Sequence, residues 1–569
     1  MQLQSRQTLD VGLSKPQQPE EGGHMWPPSA SSDAAVRPGC AVRVIDADRY
    51  GGYFRENPVP GERVRKGISA LTAQENVTKP ALVKTTSGVV AGKYHDGVVS
   101  FKGIPYAAEP YGENRFRMPQ PPKPWDGVRE AFEFGPCAPQ PNTYSLVDAT
   151  PLYPWGTDCL SVNVYTPDPG AARLPVMVWI HAGGYISGSA ATPRADGSVF
   201  AREGVVMVAM NYRLGVDGFL SVPGGIPNAG MQDVVAALRW VRENIAVFGG
   251  DPDAVTVFGN SSGSAIIAAI ARTVAAEGLI HRAVLQSPCP SLVVEADEGR
   301  AVAARVLADL NVDADLRDIP LKELLGRRQR ALDVRFRDAG RWHPYTYWFS
   351  PYMPVVDDSL FTDSAMSERI PSSVDLLIGT NRDEARYFLM RNGQFTSGTE
   401  RDLLDAQKAY DVPEACRGAA DSLYGHLSFG EQLTETVSNW VWRGPTIELT
   451  ELHARSGGNT YAYEFAWQQS PAFDGCYGAA HFLEVPFLFD QLDDPAFAPQ
   501  VGPDAPAELG RALRDGWIRF ATTGDPGWPR YDEEQRQVMI FDTSCRVGTD
   551  PREEHRAAWD ARFAVSAHR

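Results

Sequence analysis

The stretch Val255-Thr-Val-Phe-Gly-Asn-Ser-Ser-Gly-Ser264 decides how this chain is read. It opens as a β-branched strand, ends that strand at Gly259, and passes without a linker into small apolar residues, Ala265 to Ala271, that suit a helix. Between the two lies Gly259-Asn260-Ser261-Ser262-Gly263, a G-x-S-x-G. A serine on so sharp a strand-to-helix turn sits in a strained backbone conformation, and its neighbours two positions away must lack a Cβ to avoid collision. The turn lifts the Ser261 hydroxyl out of the sheet, beside a helix N-terminus whose N–H groups can meet a negative oxygen. With Gly and Ser each near ~7% of residues, a chain of this length yields roughly 0.2 such matches by chance. The motif gains weight only from its surroundings.

Those surroundings read as strands alternating with helices. Upstream, Leu174-Pro-Val-Met-Val-Trp-Ile180 and Val205-Val-Met-Val-Ala-Met210 are continuous apolar runs, the mark of strands buried on both faces. A helix is expected over residues 229–247, with Val234, Leu238, Val241 and Ile245 on one face. Downstream, Arg282-Ala-Val-Leu-Gln286 and Val374-Asp-Leu-Leu-Ile-Gly379 read as further strands. The pattern implies an α/β architecture, a mostly parallel sheet covered on both sides. Residues 290–370 and 385–455 are expected to form helical lobes over the sheet's carboxyl edge. Three short strands with Gly or Asp-Gly turns, from residue 82 to 101, suggest an antiparallel meander. Residues 507–523 read as a helix, and Val538-Met-Ile-Phe541 as a late edge strand.

Composition narrows the functions. The 569 residues carry 54 Lys and Arg against 71 Asp and Glu, a net charge of −17. Such a surface repels phosphate backbones and anionic lipid, which disfavours nucleic-acid and membrane partners. No apolar run approaches the ~18 residues that span a bilayer. The N-terminus shows no apolar signal region, so a cytoplasmic location is expected. The 7 cysteines show no metal-type spacing. Residues 1–80, rich in Pro, Gly, Ser and charge, are expected to be a poorly ordered extension of a domain spanning 81–569.

A serine hydroxyl is inert at neutral pH unless a base takes its proton and a third group orients that base. His481, in Gly478-Ala-Ala-His-Phe-Leu-Glu-Val-Pro486, follows a Gly-containing loop and precedes an apolar segment. His453 falls inside an expected helix and is expected at the surface; His555 and His568 lie in the charged tail. The acid should follow a strand. Leu376-Leu-Ile-Gly379 leads to Asp383 and Glu384, both candidates, one of them structural; Asp357 and Asp358 are weaker rivals. Oxyanion donors must approach the tetrahedral oxygen closely, and Gly183 and Gly184 stand at the end of a buried strand, with the N–H of Ser262 as a third donor.

Many further segments occur in one order: Phe101-Lys-Gly-Ile-Pro-Tyr106, Arg115-Phe-Arg117, Asp158-Cys-Leu160, Asn211-Tyr-Arg-Leu-Gly215, Asn228-Ala-Gly-Met-Gln-Asp233, Phe248-Gly-Gly-Asp-Pro252 and Gln286-Ser287. Together with the serine turn they make residues 81–569 resemble the type-B carboxylesterases, the family of bacterial p-nitrobenzyl-type esterases, fungal lipases and cholinesterases. The resemblance implies an α/β-hydrolase fold with helical lobes over an active-site gorge. It implies a triad of Ser261, Glu384 and His481 in that order, an oxyanion hole of Gly183, Gly184 and Ser262, and a serine, Ser287, that supports the acid. It implies that no cofactor or metal is needed and that the partner is a small-molecule ester. Cys137 and Cys159 match a family disulfide pair, and the aromatic stretch from Trp342 to Tyr352 matches the acyl-pocket region, with Trp348 and Tyr352 the side chains expected to face the gorge.

The chain departs from the pattern at Asn260, where relatives carry Glu, and at Ala182, within what is usually H-G-G-G. No tryptophan stands where relatives bind choline. The expected function is a serine carboxylesterase acting through an acyl-enzyme on Ser261. Amide or carbamate hydrolysis, a lipase, and a non-catalytic binding domain on the same fold are the alternatives.

Overall fold

The computed structural model describes residues 79–140, 154–289, 293–310, 316–325, 350–357, 360, 370–469 and 477–560. Nearly all of the expected N-terminal extension falls outside these residues, as does Trp348.

Thirteen strands form one sheet. In chain order they are β1 (Ala81–Lys84), β2 (Val89–His95), β3 (Val98–Pro105), β4 (Val128–Glu130), β5 (Ser161–Thr166), β6 (Leu174–Ile180) and β7 (Val206–Met210). They continue as β8 (Gly250–Asn260), β9 (Arg282–Gln286), β10 (Asp375–Asn381), β11 (Thr460–Phe465), β12 (Gln537–Phe541) and β13 (Arg546–Thr549). Their spatial order is β1-β2-β3-β5-β7-β6-β8-β9-β10-β11-β12-β13, with β4 beside β2. From β7 to β12 every neighbour is parallel. Antiparallel strands close both flanks, including the β1–β3 meander and β13. The sheet is the α/β-hydrolase arrangement.

The continuous apolar runs become strands buried on both faces because alternate side chains enter different cores. Val176, Val178 and Ile180 of β6 join one cluster, and Met177 and Trp179 the other. Helix Ala229–Asn244 packs Val234, Leu238 and Val241 into the first. Helix Ala507–Thr523 packs Leu513, Trp517 and Phe520 into the second. At 25 cal/mol per Å², such side chains each contribute roughly 1.5–3 kcal/mol on burial.

Two expectations fail. The strand at Val538 is not an edge, since β13 pairs outside it; β13 is only four residues long and largely exposed, so it carries no apolar signal. His453 is fully buried instead of lying at the surface, because Thr460 at the start of β11 offers its Oγ1 to Nδ1 at 2.8 Å.

The register places the chemistry. Ile180 pairs with Gly259, Asn260 with Gln286, and Gln286 with Gly379. The ends of β6, β8, β9 and β10 therefore meet in one row at the carboxyl edge, which is where ligands bind on open α/β sheets.

Candidate active site

β8 ends at Asn260 and helix Ser262–Ile270 begins two residues later. The single residue between, Ser261, takes φ 55° and ψ −123°. That conformation is strained for any residue with a Cβ. Its neighbours hold it. The Ser261 N–H donates to Gln286 O at 2.9 Å, and the Ser264 hydroxyl donates to the Ser261 carbonyl at 2.7 Å. The flanking glycines let β8 lie against β6: a Cβ on Gly259 would stand 2.7 Å from Ile180 O, and one on Gly263 only 2.2 Å from it.

The loop after β6 supplies the next element. Gly183 (φ 128°) and Gly184 (φ 59°) both adopt backbone angles that favour glycine. A Cβ on Gly183 would sit 2.0 Å from Ser187 O. The Gly183 carbonyl accepts from the N–H groups of Ile186 and Ser187, each at 3.1 Å. Ala182 occupies a buried position, and its carbonyl accepts from His181 Nδ1 at 2.8 Å. Gly183 also lines a cleft of about 640 Å³, open mouth included, with Trp179, Thr192, Phe482 and Phe497.

β10 delivers the acid. Glu384 and His481 are both buried, and His481 Nδ1 meets Glu384 Oε2 at 2.5 Å. Glu384 Oε1 accepts the Asn381 N–H at 2.8 Å. Of the two acidic candidates here, Asp383 takes the structural place: its Oδ2 accepts from Ala479 N at 2.9 Å. Asp357 instead holds a loop by accepting from Asn228 Nδ2 and Leu360 N. The other side of the imidazole, Nε2, makes no hydrogen bond among the described residues, so no bond to Ser261 is closed. Catalytic hydrogen bonds often close only when substrate is bound.

A second buried carboxylate lies beneath these groups. Glu484 stands one turn past His481 and is wholly inaccessible. Its Oε1 accepts from Asn260 Nδ2 at 2.7 Å and Gln286 Nε2 at 3.3 Å, and its Oε2 from Asn381 Nδ2 at 2.7 Å. Burial, reinforced by the charge of Glu384, pushes the Glu484 carboxyl above the usual range. Three amide donors satisfy it, as a buried carboxylate requires. It thus ties the ends of β8, β9 and β10 to the segment carrying His481. Asn260, the residue before Ser261, thus serves as a donor to this carboxylate.

Other expected residues fall elsewhere. Ser287 sits at φ 48° with its N–H on Gly379 O at 2.8 Å, and its hydroxyl makes no hydrogen bond to Glu384. Tyr352 is fully buried in the larger core cluster and does not line the cleft beside Gly183. Cys137 and Cys159 are buried free thiols, both held in the neutral form by burial. Among the described residues, no group of three or more His, Cys, Asp or Glu could hold a metal ion. No helix among them is long and apolar enough to cross a membrane.

Comparison with known proteins shows the family and the fold. The model of the carboxylesterase family matches residues 79–559. A para-nitrobenzyl esterase of Bacillus subtilis is 34% identical over 84% of this chain and 97% of its own length. A phenmedipham hydrolase of Pseudarthrobacter oxydans is 32% identical over 83% and 97%. Among solved structures, a Geobacillus stearothermophilus carboxylesterase superposes with a TM-score of 0.73 at 33% identity, covering 84% of this chain and all of the other.

Proposed function

The chain belongs to the carboxylesterase family, and from that premise we propose that its ester hydrolysis runs through Ser261, His481 and Glu384. The protein is a carboxylic ester hydrolase acting on small-molecule esters. The single observation that carries the residue assignment is the 2.5 Å contact between His481 and Glu384 at the same sheet edge as the strained Ser261 turn.

The steps follow from these groups. His481 Nε2 takes the Ser261 proton as Oγ attacks the ester carbonyl carbon. Glu384 holds the imidazole through Nδ1 and balances its charge. The N–H groups of Gly183, Gly184 and Ser262 meet the oxyanion, where each donor of this kind contributes roughly 3–4 kcal/mol to transition-state stability. The proton then passes from Nε2 to the leaving alcohol as the acyl C–O bond breaks. Water, deprotonated by His481, attacks the acyl-Ser261 and frees the acid.

The test is turnover of p-nitrophenyl acetate and butyrate. Ser261→Ala and His481→Ala should each lose about 10⁴-fold or more in kcat; turnover retained within ten-fold in either variant refutes the assignment. The relative called phenmedipham hydrolase supports a second reading, amide or carbamate hydrolysis on the same three residues. A carbamate substrate that carbamylates Ser261 and releases it within minutes favours that reading over a strict esterase.

A further inference from the structure

His481 is not only bonded to Glu384; it packs against a stacked pair of aromatic rings from two other elements. The Trp442 ring centroid lies 5.0 Å from the imidazole, inclined 43°. That of Phe388 lies 5.4 Å away, inclined 40°. The two aromatic rings stack on one another at 5.7 Å and 10°. Trp442 is 1% exposed.

Trp442 comes from an unusual turn. Residues Asn439–Arg443 form a π-helix between helices Phe429–Ser438 and Gly444–Arg455. A π-turn adds a residue to the helical ladder, shifts which side chains face inward, and recurs at functional sites. Here the segment also grips the chain on both sides of Glu384. The Ser438 hydroxyl accepts from Ala385 N at 3.0 Å, and Arg443 Nη2 donates to Arg382 O at 2.7 Å.

We propose that Trp442, set by this π-turn, is a positioning residue for His481 whose ring face stabilises the imidazolium formed when Ser261 gives up its proton. The inference deepens the assignment of His481 as the base and rests on it. The cation appears as the Oγ–acyl bond forms and vanishes when Nε2 returns the proton to the leaving oxygen. A ring face that attracts cations lowers the energy of that transient state more than that of the neutral resting state. Plain core packing would give the same burial but no dependence on the electrons of the ring.

The charged groups around the imidazole are Glu384 on the acid loop and Glu484 one turn on. The neighbouring elements add Asp383, bonded to Ala479 N, and Arg386, which stacks on Phe395 at 4.3 Å. They also add Arg443 and Glu435, which pair at 3.5 Å. Glu384 sets the ring's orientation through Nδ1, and the stacked Trp442 and Phe388 rings lie inclined against it.

The experiment places tryptophan analogues with one to four ring fluorines at position 442 alone in the full chain, and measures kcat and KM for p-nitrophenyl butyrate. Fluorine withdraws ring electrons at nearly constant shape. Each added fluorine should lower kcat, by about ten-fold in total, with KM unchanged within two-fold. Trp442→Phe should stay within about three-fold of the parent kcat, and Trp442→Leu should lose about ten-fold. A kcat indifferent to fluorination, or losses confined to KM, overturns the role of Trp442. His481→Ala, run alongside, keeps the two ideas apart. If that variant retains turnover, the base assignment fails and the Trp442 role with it; if it is inactive while fluorination changes nothing, only the Trp442 role fails.

Discussion

His181 shows how far one side chain's environment reaches. It is 4% exposed, stacks on Tyr212 at 4.3 Å and 14°, and donates Nδ1–H to Ala182 O. Burial pushes its pKa down from 6.5 to about 4, against the opposing pull of the Ala182 carbonyl. The unfolded chain therefore takes up a proton near pH 6.5 that the folded chain refuses until about pH 4. This stability is fully present above pH 6.5 and is lost as pH falls to about 4, by up to about 3 kcal/mol. Calorimetry should show Tm falling across that window, and less steeply in His181→Asn. An identical slope in both proteins would contradict the account. At this scale Ser261, His481 and Gly183 can be singled out as candidates from their local sequence, whereas the choice of Glu384 over Asp383 comes only with the family resemblance, since the residue pattern leaves both acids open. Glu484 and Trp442 are not legible in the sequence. Asn260 and Glu484 are 224 positions apart, and a buried Glu or a Trp on a helix carries no local signature of its partner.

At the scale of elements, the serine turn works because β6 and β8 approach where a side chain would not fit. Gly263→Ala would force a Cβ to within 2.2 Å of Ile180 O, a backbone atom that has nowhere to go. That variant should lose most soluble yield, or several °C in Tm with activity near zero. Gly418 makes the contrast: it lies in helix Glu414–Tyr424, and a Cβ there meets nothing within 4 Å. Gly418→Ala should leave activity unchanged and raise stability by about 0.4–1 kcal/mol. Melting curves of the two variants decide the matter; equal effects would contradict the steric reading. The G-x-S-x-G spacing announces this turn in the sequence. The π-turn at Asn439–Arg443 has no comparable marker, since its residues also suit a plain helix.

Across the whole molecule, the described residues are held by two cores on either face of the sheet and by ion pairs beneath the carboxyl edge. Arg213 meets Asp233 at 2.7 Å with both side chains at most 1% exposed, and donates further to Arg117 O and Ala229 O. Arg115 likewise pairs with Asp217 at 2.8 Å. These residues sit in or beside the segments that carried the family resemblance, so part of that pattern is electrostatic architecture rather than catalysis. The mostly parallel sheet is legible from its apolar runs, but its strand order is not, nor are the outer strand β13, which is short and exposed, and the burial of His453, whose partner Thr460 carries no signal of the contact. Breaking one partner of a buried pair strands the other. Asp233→Asn should lower unfolding stability by about 3–5 kcal/mol in denaturant titration, whereas Arg401→Ala, in an exposed pair, should change it by less than about 0.5 kcal/mol. Comparable losses would contradict this ranking. The most direct check on the whole scheme is covalent. A fluorophosphonate reacted with the intact protein and mapped by peptide mass spectrometry should modify Ser261 alone, at a rate that collapses in His481→Ala. Label on another residue, or turnover that survives full modification of Ser261, would contradict it.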